Sequence, residues 1–334
     1  MRFRIKDMVR FFLFTVTCLV LLASSAGAKE KVSLIASLIG PSETAQGQGL
    51  EFFAKRVKEL TGGEVVVKIY PDGQLGGLVE SLEQVQKGFI DLTTSVPGNM
   101  AEFVPEFQIY HFPFLFRDYS HWKSVITGQI GRKLSDIARQ KAGMIIIGTF
   151  GGSVRNLVTR KKVTCIDDMK NLLIRLHPSE IQIKAWSAVG AIPTVVAYRE
   201  IYNALQLKVI DALENEPEWV VRMKFYEQAQ YIVLTAHEIV TRPVPFSERR
   251  FNSLSPEHQE AVLMAGREAA EYERELEHYL DQEYLKALHE KYGAQLIHIE
   301  QKAFREKTQA ALEPVIKKFG VTELINQIGV VTPK

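Results

Sequence analysis

The sequence predicts an α/β protein made of two strand-and-helix units bridged by one long helix. Three observations carry this. Between Val32 and Thr94, short apolar runs alternate with stretches of helical periodicity. The alternation restarts at Met144 and continues to Leu213. From Ser255 to about Tyr292 a single apolar stripe recurs at helical spacing. The composition agrees: 334 residues, 46% hydrophobic and 24% charged, exclude a disordered, collagenous or coiled-coil chain and leave room for two domains.

The chain starts with Arg2, Arg4, Lys6 and Arg10, followed by the apolar run Phe11 to Leu22 and by Ala26-Gly-Ala28. A basic start, a short apolar stretch and a small-x-small ending make a secretory signal peptide over 1–28, cut before Lys29. The apolar run is too short to span a bilayer, which takes about 20 residues. Val32 to Leu38 then reads as a buried strand. Leu50, Phe53, Val57 and Leu60 give a helix that Gly62-Gly63 stops. Val65 to Tyr70 is a second strand ended by the turn Pro71-Asp-Gly73, Leu78 to Lys87 a short helix, and Ile90 to Thr94 a third strand.

The second unit opens with a strand at Met144–Thr149 that begins a new sheet. It continues with a strand at Leu172–Leu176, a helix near Ser179 to Val189, Pro193–Val196, a helix from about Tyr198 to Leu207, and a strand at Val209–Leu213. Ser255-Pro256, an N-cap followed by proline, starts the long helix, whose roughly 35 residues would measure ~50 Å and run across both units.

Losing residues 1–28 leaves 37 Lys and Arg against 38 Asp and Glu, a net charge of −1. Nucleic acid and anionic membrane surfaces, which need concentrated positive charge, are thereby excluded as partners, and no later apolar run is long enough for a membrane span. Cys18 leaves with the signal, so Cys165 has no disulfide partner within the chain and reads as a small packed apolar residue.

Enzyme signatures fail in turn. His237-Glu238 and His289-Glu290 lack the second histidine of a zinc-protease helix. Gly151-Gly-Ser-Val-Arg155 lacks the closing glycine of a nucleophile elbow, and Gly47-Gln-Gly49 lacks a third glycine. No Walker lysine motif occurs, and the eight histidines show no metal-ligand spacing. No cofactor or metal is expected. Two arginines stand out instead, because they lie among apolar residues: Arg175 in Leu172-Leu-Ile-Arg-Leu176, and Arg155 directly after the Met144–Thr149 strand and its glycines. A guanidinium in such a setting needs an anion, either a ligand or an internal carboxylate.

Seven ordered segments then carry a resemblance. They are Tyr70–Gly77 (YPDGQLGG), Glu83–Asp91 (EQVQKGFID), His111–Phe116 (HFPFLF), Met169–Arg175 (MKNLLIR), Gly190–Thr194 (GAIPT), Glu200–Gln206 (EIYNALQ) and Val209–Asn215 (VIDALEN). In these the mature chain resembles, almost end to end, the DctP-like solute-binding proteins of tripartite ATP-independent periplasmic (TRAP) transporters. The resemblance implies the two-lobed periplasmic-binding-protein architecture, a ligand cleft between the lobes and a long helix spanning both. Lobe I would hold 29–150 plus 241–280, and lobe II 151–240 plus 281–334. It also implies that Arg175 clamps the carboxylate of a small organic acid, a sugar acid or a C4-dicarboxylate.

By the same resemblance Arg155 would be a second cationic contact, Asn215 a hydrogen-bonding partner and Tyr198 an aromatic wall. Glu43, Ser95 and Asn99 would face the ligand from the other lobe, although Glu43 could equally cap a helix and Pro97-Gly98 could be simple turn chemistry. Here the family's Arg-Val-Pro is Arg175-Leu-His177-Pro178, which puts an imidazole, His177, near the clamp. The implied protein is a periplasmic monomer without catalysis that hands its ligand to a permease of a small four-helix and a large subunit, driven by an ion gradient. A receptor feeding a sensor kinase and an exported hydrolase are the rival classes.

Overall fold

The computed structural model describes residues 31–333; the export signal read over 1–28 lies outside them. Strand β1 (Val32–Ser37) leads through Thr44 into the helix Ala45–Leu60. The Thr44 hydroxyl accepts from the Gly47 N–H at 3.1 Å, satisfying one of the donors that a helix start leaves open. Leu50, Phe53 and Val57 form the buried stripe, and the helix ends before Gly62, whose φ of 58° a larger side chain would resist. β2 (Val65–Tyr70), the helix Leu78–Lys87 and a two-residue β3 (Leu92–Thr93) complete this region, with β1 and β3 parallel and Ala36 opposite Leu92.

β4 departs most from the sequence reading. A strand ending at Thr149 is the natural reading of the Gly-Gly pair, yet β4 runs over Met144–Thr159, 16 residues. Gly151 and Gly152 take φ of 118° and 116°, and the pairing register slips between Gly151 and Val154. The glycines bend the strand at a bulge instead of ending it. Its antiparallel partner β8 (Tyr231–Ser247) has 17 residues and no counterpart in the sequence reading. Pro243 and Pro245 argue against a central strand, but each still offers a carbonyl, and that of Pro243 accepts from the Ser95 N–H at 3.0 Å.

A second sheet is expected from the sequence; the described residues form a single mixed one, in the order β2-β1-β3-β8-β4 and then β7 (Ala212–Asn215), β5 (Leu173–Leu176) and β6 (Ile192–Val195), with β9 (Gln295–His298) paired to β8. β5, β6 and β7 are mutually parallel where they pair. Phe246, near one end of β8, faces Leu92 of β3, whereas Tyr231–Leu234 at its other end pair with β9. Likewise the far end of β4, Asn156–Thr159, pairs with β7. Each half of the molecule is thus closed on one half of the same two strands. β4 and β8 belong to both, which is why the described residues form one sheet and not two.

The long helix Pro256–Glu290 has 35 residues and is capped by the Ser255 hydroxyl, which accepts from the His258 N–H at 3.2 Å. It lies directly on β4. A Cβ added to Gly266 would come within 2.5 Å of the Ile147 carbonyl oxygen, and one added to Gly148 within 2.7 Å of the Gly266 oxygen. Two glycines facing each other let helix and strand backbones approach this closely. Among the described residues no helix is long and apolar enough to cross a membrane.

Apolar clusters among the described residues hold the layers together. One joins Leu82, Trp122 and Leu134 to Ile181; a second joins Leu157, Ile174 and Trp186; a third joins Val158, Ile201, Leu213 and Phe225. The sequence reading puts 281–334 in lobe II. Phe304 packs in the second cluster, but Leu312, Val315, Leu324 and Ile328 pack in the first, beside Trp122. Cys165 is exposed, not packed: it precedes the short turn Ile166–Met169 and gives its N–H to Asp168 at 3.1 Å.

Because Gly266 has backbone atoms where a side chain would go, Gly266→Val should destabilise the fold by about 1–3 kcal/mol or more. A melting curve within a degree of wild type would show that the helix can lift off β4 without penalty.

Candidate functional site

A cavity of about 40 Å³ lies where the two halves of the sheet meet. Ile39, Gln46, Leu78 and the segment Thr94–Val96 line it from the β1/β3 side. His177, Tyr198, Asn215, Glu216 and Trp219 line it from the β5/β7 side, and Arg155 and Arg242 reach it from β4 and β8. The space holds about one water, whose share of liquid volume is ~30 Å³, so a ligand of several heavy atoms gains access only when the two walls separate.

Arg175 sits on β5, 3% exposed, between Thr194 and Leu213 of the neighbouring strands. Its Nε donates to the Val196 carbonyl at 2.9 Å, and its guanidinium carbon lies 5.7 Å from the centre of the Tyr198 ring. Among the described residues no carboxylate lies within 4 Å of it and its two Nη atoms have no protein acceptor. Burial lowers its pKa to about 10, with the Glu214 charge opposing, so the cation persists at neutral pH. Arg175 does not itself line the cavity; Tyr198, the ring it faces, does. The Tyr198 hydroxyl accepts from Asn215 Nδ2 at 3.2 Å, and Asn215 Oδ1 accepts from the Glu216 N–H at 3.0 Å. Strand, ring and amide therefore bring together three residues singled out in the sequence: Arg175, Tyr198 and Asn215.

Arg155 is placed differently from the expectation. It lies within β4, not beyond a strand end, and its fork is occupied by the protein's own anions. Nε and Nη2 donate to the two carboxylate oxygens of Glu214, Nη2 at 2.8 Å, and Nη1 donates to Glu216 at 2.6 Å. Burial would lower the Arg155 pKa, but Glu214 and Glu216 overcome it and raise it. Glu214 is held well below the carboxylate range by Arg155 and His237 against the opposing effect of burial.

Of the remaining candidates, His177 and Ser95 line the cavity. The His177 pKa is pushed well below that of free imidazole, first by burial and then by Arg175 and Arg155, which leaves a neutral ring. Glu43 and Asn99 are not brought there. Glu43 is exposed, and its carbonyl accepts from Gln48 and Arg222. Asn99 is buried in the short helix Pro97–Met100. Sequence reasoning missed Gln46, Trp219, Glu216 and Arg242. The adjacency of Glu216 to Asn215 was a usable signal; Arg242 gave none, because its strand was not recognised.

Comparison with known proteins decides the family of the chain. Residues 36–322 match the family model of the bacterial extracellular solute-binding proteins, family 7, DctP. The chain belongs to that family. A 2,3-diketo-L-gulonate-binding periplasmic protein of Escherichia coli K12 is 31% identical, over 70% of this chain and 73% of its own. A TRAP periplasmic solute-binding protein of Sulfitobacter sp. NAS-14.1, solved with α-D-taluronate, is 33% identical with a TM-score of 0.85, covering 89% of this chain and 97% of its own. One from Sulfurospirillum deleyianum, solved with succinate, is 29% identical with a TM-score of 0.84, covering 90% and 99%.

The chain is therefore a two-lobed TRAP solute-binding protein, of a family of binding proteins and not of enzymes. Within this DctP protein the charges of the cavity wall continue into the long helix. Arg242 donates through Nη2 to Glu216 and through Nη1 to Glu277 at 2.5 Å. Glu273, one turn before Glu277, accepts from the Gly151 N–H at 2.8 Å, and Asp281, one turn after it, accepts from Ser153 Oγ and from the Val154 N–H at 3.3 Å. Burial raises Glu277 to about 7 and Asp281 to about 6, with Arg242 and Ser153 respectively opposing. The folded state thus holds protons on these groups at pH values where the unfolded chain has released them. Their contribution to stability is fully present below the ordinary carboxyl values, 3.8 for Asp281 and 4.5 for Glu277, and is lost as pH rises through about 6 and about 7 respectively. Chemical denaturation of Glu277→Gln across pH 4.5 to 8 should show a shallower decline with pH than wild type; parallel curves would mean that Glu277 carries no proton in that window.

Proposed function

We propose that this DctP protein is exported with loss of residues 1–28, captures a small organic acid between its lobes through Arg175, and delivers it to a TRAP permease of a small four-helix and a large subunit driven by an ion gradient. The observation that carries the ligand reading is the state of Arg175: a buried cation beside the cavity wall with no internal carboxylate partner among the described residues. Leaving such a charge uncompensated is costly in a low-dielectric interior, and an acid that supplies two oxygens to the free Nη atoms would remove that cost. The ligands of the relatives named above fit this chemistry, since diketogulonate, taluronate and succinate all carry a carboxylate.

Capture requires opening and closure. The positive-φ residues Gly151, Gly152 and Ala236 and the register slips of β4 against β8 mark where the shared strands bend, between the elements that supply the two cavity walls. A ligand that touches both walls favours the closed arrangement by its differential affinity. His177 and Tyr198 shield the bond from water, which strengthens it.

Arg175→Ala removes a charge-assisted bond worth ~1.5–3 kcal/mol and should weaken the best-bound acid by about one to two decades. Calorimetry on purified protein, after a thermal-shift screen of organic acids to find the ligand, reads this directly. Unchanged affinity in Arg175→Ala, with the fold intact by circular dichroism, would falsify the clamp assignment.

A further inference from the structure

The two arginines on the cavity wall are already committed. Arg155 is bound by Glu214 and Glu216, and Arg242 by Glu216 and Glu277. Glu216, 2% exposed, sits between them with one carboxylate oxygen toward each, and it lines the cavity itself. Its field reaches Arg175, where it opposes the effect of burial. Gln46, Thr94, Ser95 and Asn215 add neutral polar groups to the wall, and the His177 ring is uncharged. The site as a whole therefore offers one guanidinium free of internal anions, at Arg175, and one resident carboxylate, at Glu216.

We propose that this site takes a ligand with a single carboxylate and excludes a second one, and that Glu216 is the residue that does so. The ligand class is a hydroxylated monocarboxylic acid: its carboxylate goes to Arg175 and a hydroxyl donates to Glu216. Two of the roughly four lone-pair positions of Glu216 are used by Arg155 and Arg242, so acceptor capacity remains for a hydroxyl. A second ligand carboxylate would meet Glu216 instead of a free cation, a like-charge contact in a site with little water. This inference rests on the carboxylate-receptor reading above and sharpens it, because that reading alone admits dicarboxylates as well as sugar acids.

The test is a matched series measured by calorimetry on the wild-type protein: D-hexuronates of gluco, galacto, manno and talo configuration, the aldarates that differ from them by oxidation of the other chain end, and the parent hexoses. At least one hexuronate should bind, with its aldarate weaker by about a hundredfold or more and its hexose without measurable heat. In Glu216→Gln the gap between hexuronate and aldarate should shrink by about tenfold or more. If that variant does not fold, the wild-type ratio decides alone. An aldarate or succinate bound as tightly as the best hexuronate overturns the exclusion while leaving the Arg175 clamp standing. A hexose bound as tightly as its uronate overturns the clamp itself, and this inference with it.

Discussion

The rest of the structure depends on a run of buried ionisable groups that crosses the sheet at its middle. Glu214, Arg155, Glu216, Arg242 and Glu277 alternate carboxyl with guanidinium and come from β7, β4, the turn after β7, β8 and the long helix. Each ion is expensive to bury, and the arrangement persists because every arginine has two carboxylate partners and the central Glu216 has two arginines. Removing a single member would strand its neighbours, so the chain holds four elements in one geometry. It also determines which cation is left over. With Arg155 and Arg242 paired from within, Arg175 keeps unfilled capacity beside the cavity, and the recognition of an acid proposed above rests on that imbalance.

The same region is where the backbone is least regular. Gly151 and Gly152 have positive φ and the β4–β8 register slips around them. Side chains of the long helix accept amides of the bend: Glu273 takes the Gly151 N–H, and Asp281 takes that of Val154. The long helix thus braces the bend with carboxylates on successive turns, while Gly266 and Gly148 keep it close enough to do so. The bend and its bracing lie beside the cavity wall, as suits a protein whose proposed ligand must be enclosed by two lobes.

Much of this was legible because local physics governs it. The stripe Leu50, Phe53, Val57 gave its helix, Ser255-Pro256 gave the start of the 35-residue helix, and the apolar setting of Arg175 marked it as unusual. The misses have physical causes as well. β8 is invisible to local pattern because Pro243 and Pro245 are poor strand formers; in the fold the Pro243 carbonyl still accepts from Ser95 and both prolines keep register with β4. β4 was cut short because a Gly-Gly pair ends an isolated strand, whereas here β8 on one side and the long helix on the other carry the chain through. Glu43 and Asn99 do not line the cavity, the first exposed in a turn and the second buried in a short helix, since position along the chain fixes neither direction nor depth.

By itself, then, the sequence determined the periodicities, the caps, the long helix and the presence of arginines in apolar surroundings, all of which are properties of neighbouring residues. Only the tertiary structure decided that both halves share one sheet and that of two similar arginines one is saturated by Glu214 and Glu216 and the other is not. That choice depends on groups some 40 to 60 residues apart along the chain, brought together by the pairing of β4 with β7 and β8. Electrostatic partnership is a matter of distance in space, and no local pattern encodes it.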